Sequence, residues 1–83
     1  MHDVTLYTTV TCGYCVAAKH LLRKRGIPYE EVDVTGDRAR RAWLLEATGR
    51  RTVPQIFIAG ESIGGYDELA ALDRAGELAK KVG

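Results

Sequence analysis

At 83 residues the chain lies near the lower end of what a hydrophobic core alone holds folded, so residues 1–83 read as one domain with no room for a second. Its 46% hydrophobic content suits a compact soluble module, and 12 basic against 11 acidic residues (formal charge +1) give no electrostatic argument for nucleic acid or a membrane surface as partner. No charged, apolar and small-residue leader opens the chain and no apolar run approaches about 18 residues, so the expectation is a cytoplasmic protein.

In chain order, Val4 to Thr8 alternates apolar and polar residues around Leu6 and predicts a strand. Cys12-Gly13-Tyr14-Cys15, which holds the only two cysteines, follows it. From Tyr14 the residues Ala17, Ala18, Leu21 and Leu22 recur at helical spacing until Gly26, with Pro28 beyond. Glu30 to Val34 alternates again. Asp37 is placed to cap a second helix whose apolar residues are Ala39, Ala42, Trp43 and Leu45 and which ends at Gly49. Gln55 to Ala59 predicts a third strand, Ala59 to Ser62 a tight turn, and Ser62 to Gly64 a short fourth strand. The last helix begins near Tyr66 or Asp67 with Leu69, Leu72 and Ala75 as its buried stripe, Gly76 interrupts it, and Glu77 to Val82 add a ragged turn or two. This order predicts an α/β domain: a parallel βαβ unit with a right-handed crossover, then a helix, a hairpin that makes the sheet mixed, and a closing helix. The basic clusters Arg23-Lys24-Arg25 and Arg38 to Arg41 read as solvated surface.

Two close cysteines are too few for a disulfide framework, and in a reducing compartment such a pair is catalytic or metal-binding. If Cys12 caps the helix that begins at Gly13, its sulfur faces the unpaired amides of the first turn, those of Tyr14 and Cys15 among them, and the positive end of the helix dipole. Both favour thiolate, which makes Cys12 the nucleophile. Cys15, on the same helix face three residues on, can resolve whatever Cys12 captures. A zinc site with His20 and His2 would need four well-placed ligands, and His2 at the chain end is a poor one. Trp43, Tyr7 and Tyr29 read as packing aromatics.

Three motifs in order carry a resemblance over essentially the whole length: Leu6-Tyr7-Thr8 before Cys12-Gly13-Tyr14-Cys15, then Thr52-Val53-Pro54-Gln55-Ile56-Phe57-Ile58, then Ile63-Gly64-Gly65-Tyr66-Asp67-Glu68-Leu69. In these the chain resembles a glutaredoxin of the small bacterial dithiol type. The resemblance implies a thioredoxin-like fold, a four-stranded mixed sheet of order 2-1-3-4 flanked by three main helices. It also implies a monomer that reduces mixed disulfides of glutathionylated proteins, and protein disulfides, with glutathione as co-substrate. Carried over, Tyr14 lies beside the bound tripeptide, Pro54 is cis, the backbone of Val53 is free to pair with the glutathione cysteine, and Thr52 is a further glutathione-binding residue.

Gly64-Gly65 has its own physical sense, since two glycines let backbone approach a ligand and the amides at Gly65 and Tyr66 that open the last helix suit a carboxylate. Asp67 or Glu68 can then pair with the ligand's amino group, and Arg50 or Arg51 with a second carboxylate. Gly13 replaces the proline common in the family, exchanging a fixed φ for one more amide donor. Thr9 stands where many relatives carry lysine, and Tyr66 where a small residue or cysteine is frequent. Some glutaredoxins with a small residue in place of that proline hold a [2Fe-2S] cluster between two chains, so through Gly13 the resemblance also implies an alternative in which Cys12 and glutathione hold such a cluster. A further alternative is a glutaredoxin-like protein fed by another low-molecular-weight thiol, such as mycothiol, or by thioredoxin reductase.

Overall fold

In a computed structural model describing residues 2–83, the alternation along Val4–Thr8 becomes the central strand β1, with Val4, Leu6 and Thr8 buried on one face and Thr5 and Tyr7 on the other. A helix, α1 (Gly13–Lys24), crosses over to β2 (Glu30–Asp33), which pairs parallel with β1. Then come α2 (Arg38–Thr48), the hairpin β3 (Gln55–Ile58) and β4 (Glu61–Gly64), and two C-terminal helices, α3 (Tyr66–Arg74) and α4 (Glu77–Val82). β3 runs antiparallel to β1 and β4 to β3, giving the mixed order β2-β1-β3-β4. That is the thioredoxin-like arrangement the motifs implied.

The main core lies between one sheet face and α1, α3 and α4, where Leu6, Ile56 and Ile58 meet Ala18, Leu22, Leu69, Leu78 and Val82. On the opposite face α2 rests on aromatics: Trp43 lies 5.6 Å from Tyr7 and 5.8 Å from Phe57 between ring centroids. Trp43 stays 47% exposed, so this second layer is thin. The buried residue of α2 is Leu44, whereas Ala39 and Ala42 are exposed, because a short helix against a small aromatic platform covers a narrow stripe.

Thr8 is buried, and its hydroxyl donates to Glu31 Oε2 at 2.7 Å, an oxygen that also accepts from Lys19 Nζ at 3.1 Å. The Thr8 hydroxyl first, and Lys19 second, hold the Glu31 carboxyl below the usual carboxylate range. At the other end of α1, Arg25 grips Asp73 of α3 with two bonds of 2.8 and 3.0 Å.

The C-terminus departs from expectation. Ala75 is exposed at the end of α3 rather than part of its buried stripe. Gly76 adopts φ 72, a left-handed joint that redirects the chain, and Glu77–Val82 form a separate helix that inserts Leu78 and Val82 into the core. The sheet therefore carries three principal helices and a docked fourth, and the His2 amide, donating to the Val82 carbonyl at 2.7 Å, ties the two ends together. No helix is long and apolar enough to cross a membrane among the described residues.

Candidate active site

The loop after β1 delivers Cys12 to the start of α1 in extended backbone (φ −141, ψ 105), the N-cap geometry that leaves its side chain facing the first turn. Its Sγ accepts the Cys15 N–H at 3.1 Å. The Tyr14 amide, expected as a second donor, is not on this sulfur: the amide three residues along from a cap is the one that points back at it. Cys12 and Cys15 are joined as a disulfide, with Cα atoms 5.2 Å apart. Cys15 is only 2% exposed and Cys12 is partly exposed, so Cys12 is the more accessible member of the pair.

Opposite the disulfide lies the loop entering β3, where the Val53–Pro54 peptide is cis. The Val53 carbonyl oxygen is 3.5 Å from Cys12 Sγ. Gln55, fully buried behind this loop, donates Nε2 to the Thr52 carbonyl at 2.9 Å and so fixes the turn that presents Val53.

From Val53 a groove of about 240 Å³ runs to the start of α3, walled by Tyr14, Thr52, Pro54, Gly65, Tyr66, Asp67, Arg50 and Glu68. Tyr14 and Tyr66 stack across it with centroids 6.1 Å apart and planes at 29°. Larger hollows of about 490 Å³ lie against Tyr29 and Pro28, and beside Trp43, but neither is lined by the cysteine motif or the Pro54 loop. Position beside the disulfide, rather than size, singles out the groove.

The structure thus gathers Tyr14, Arg50, Thr52, Val53, Pro54, Gly65, Tyr66 and Asp67 around one channel, and leaves Arg51 outside it. The Arg51 carbonyl accepts from Arg41 Nη2 at 3.3 Å, on the side of α2.

The glycine pair admits close approach by a group of the protein's own. Gly64 has φ 115, and a Cβ there would lie 2.5 Å from Oε1 of Glu68, so the space over it is filled by the protein's own side chain. That Oε1 accepts the Gly65 N–H at 2.7 Å and an Arg50 Nη1–H at 2.6 Å. The Gly65 amide first and Arg50 second hold the Glu68 carboxyl below the usual range. A glutamate at the third helical position is the half of a capping box that reaches back to the cap amide, which is the sequence signal for this contact. Nothing local pointed to Arg50 as its second partner, or to Gln55 as the brace of the Thr52 turn.

Three large apolar residues within four positions of Cys12 in the chain, Val10, Tyr14 and Val16, stand exposed. Among the described residues no three His, Cys, Asp or Glu side chains come together as a metal site.

The family model described as Glutaredoxin matches residues 4–63. The chain is 46% identical over 78 residues to Glutaredoxin 3 of Escherichia coli K12, covering 94% of each, and 45% identical over 78 residues to a glutaredoxin of Pseudomonas aeruginosa, covering 94% of this chain and 93% of that one. Among solved structures, a buckwheat glutaredoxin-glutathione complex superimposes with a TM-score of 0.92 at 33% identity, over 98% of this chain and 76% of that one. The solution structure of glutaredoxin from Brucella melitensis gives 0.88 at 42% identity, over 100% of this chain and 92% of that one.

Proposed function

This chain belongs to the glutaredoxin family and is a thiol-disulfide oxidoreductase; from that premise we propose that it is a cytoplasmic, monomeric enzyme that uses glutathione to reduce glutathione mixed disulfides and protein disulfides. The observation that carries this reading is the placement of Cys12 at the start of α1, where its sulfur accepts the Cys15 N–H at 3.1 Å beside the cis-Pro54 loop.

In the dithiol enzyme, Cys12 thiolate attacks the glutathione sulfur of a mixed disulfide. The S–S bond breaks, the substrate thiol leaves and takes up a proton, and glutathione stays on Cys12. A second glutathione thiolate then attacks that sulfur, which regenerates Cys12 and releases glutathione disulfide. With a protein disulfide, Cys12 first forms a mixed disulfide with the substrate and Cys15 displaces it, so the enzyme ends as the Cys12–Cys15 disulfide and two glutathiones restore it. The Cys15 amide and the α1 dipole favour Cys12 as attacker and as leaving group, because both stabilise negative charge on that sulfur.

The groove supplies the rest of the reading. Val53 offers backbone for strand-like pairing with the tripeptide, Thr52 and Pro54 line the approach, and the Tyr14–Tyr66 stack closes one side. Asp67 suits the γ-glutamyl ammonium, and the amides at Gly65 and Tyr66, with Arg50, suit carboxylates. The similar buckwheat protein was solved as a glutathione complex, which favours this thiol over the alternatives.

The test is reduction of a glutathione mixed disulfide coupled to glutathione reductase. Cys12→Ser should be inactive. Cys15→Ser should retain deglutathionylation and lose the reactions that need both thiols. Full activity in Cys12→Ser, or turnover only with mycothiol or thioredoxin reductase, would overturn the proposal.

A further inference from the structure

In the groove the guanidinium of Arg50 and the amide of Gly65 converge on a single atom, Oε1 of Glu68, at 2.6 and 2.7 Å. These are donors that a ligand carboxylate would use, and the protein already supplies a carboxylate to both. The placement is built into the backbone: Glu68 sits at the third position of α3, and its stem lies over Gly64, where a Cβ would come 2.8 Å from Cγ. Any bulkier residue at 64 would push the carboxylate away. Asp67, the neighbouring acid on the groove wall, makes no ion pair among the described residues.

We propose that Glu68 is a specificity-determining residue that competes with the carboxylates of an incoming thiol peptide for Arg50 and the Gly65 amide, so that the groove recognises the peptide more by its ammonium than by its carboxylates. This inference rests on the glutathione reading above. It assigns Arg50 a tuned affinity: the cation is present in the groove but is offset by an internal anion that the ligand must displace. The Arg50 and Glu68 side chains are 46% and 39% exposed, so water and salt screen the pair and the competition is modest in size.

The experiment compares kcat/KM for one glutathione mixed disulfide prepared as the free acid and as its diethyl ester. Glu68→Gln is the informative variant, because glutamine at this helix position keeps the bond to the cap amide while removing the charge. The acid-to-ester ratio should rise about 1.5- to 5-fold in Glu68→Gln, the range expected for an exposed pair, with the change carried by KM. Glu68→Ala should raise it at least as far. Glu77→Gln, which removes a carboxylate paired with Lys80 on α4, should leave the ratio unchanged. In an Arg50→Gln background the Glu68→Gln effect should largely vanish, since the two residues act through one contact.

An active wild-type enzyme whose ratio is unmoved or lowered by both Glu68 variants overturns this inference alone, and so does an equal rise in Glu77→Gln. A wild-type enzyme inert toward every glutathione disulfide overturns the functional reading, and this inference with it.

Discussion

Gly13→Pro isolates what the start of α1 contributes. Gly13 is the first helical residue, a position where proline's fixed φ is already suitable and where the lost amide has no partner inside the helix. The residue before it, Cys12, is extended at φ −141 and ψ 105, close to the region a residue preceding proline adopts. Space is open too, since a Cβ built on Gly13 meets nothing within 4 Å. The amide that donates to Cys12 Sγ belongs to Cys15, so the substitution deletes no observed bond to the sulfur. What changes is the unfolded chain, which loses conformational freedom, and such replacements stabilise by about 0.4–1 kcal/mol. For a domain of this size that converts to a rise in Tm of roughly 2–8 °C. Thermal unfolding followed by circular dichroism, with the disulfide and dithiol forms melted separately, measures it. Deglutathionylation should stay within about threefold of wild type, under roughly 0.7 kcal/mol. A lower Tm would show that the backbone at residue 13 is not compatible with proline. A rate loss of about tenfold or more would show that the Gly13 amide supplies the sulfur's stabilisation, contrary to the geometry at Cys15.

Leu78→Ala should cost about 2–5 kcal/mol in urea unfolding, because it empties a core site and releases a helix of six residues too short to persist alone; a loss below about 0.5 kcal/mol would mean that α4 is not docked. Acid should destabilise the fold through Glu31, Asp33, Glu68 and Asp73, all held below their ordinary values of 4.5 or 3.8. A depressed carboxyl in the folded state contributes stability that is complete above the unfolded value and is lost as pH falls through the folded one, so urea midpoints should decline from about pH 5 toward about pH 3. Thr8→Val removes the largest influence on Glu31 and should shrink that decline; a midpoint that is flat or rises on acidification would contradict the sign.

Much of the local structure was legible in the residues themselves. Alternation around Leu6 marked β1, and Asp37, whose side chain accepts the Arg40 amide, marked the start of α2. Two cysteines at the mouth of a helix marked the reactive end of the molecule. These are short-range facts, set by backbone geometry within one or two turns. The cis form of Val53–Pro54 had no local signature and was expected only through family likeness.

What chain folding alone decided involves partners far apart in sequence. Val53 meets Cys12 across 41 positions, Arg50 meets Glu68 across 18, and α4 became an element because Leu78 and Val82 found room beside Leu22 and Leu69. Periodicity registers which face of a segment is apolar, but not which neighbour will cover it. The glycine pair shows the same limit: composition revealed that the backbone at 64 and 65 admits close approach, while only the packed structure decided that the approaching group is the chain's own carboxylate. Burial and ion pairing depend on three-dimensional proximity, which is a property of the assembled layers and not of any one stretch of sequence.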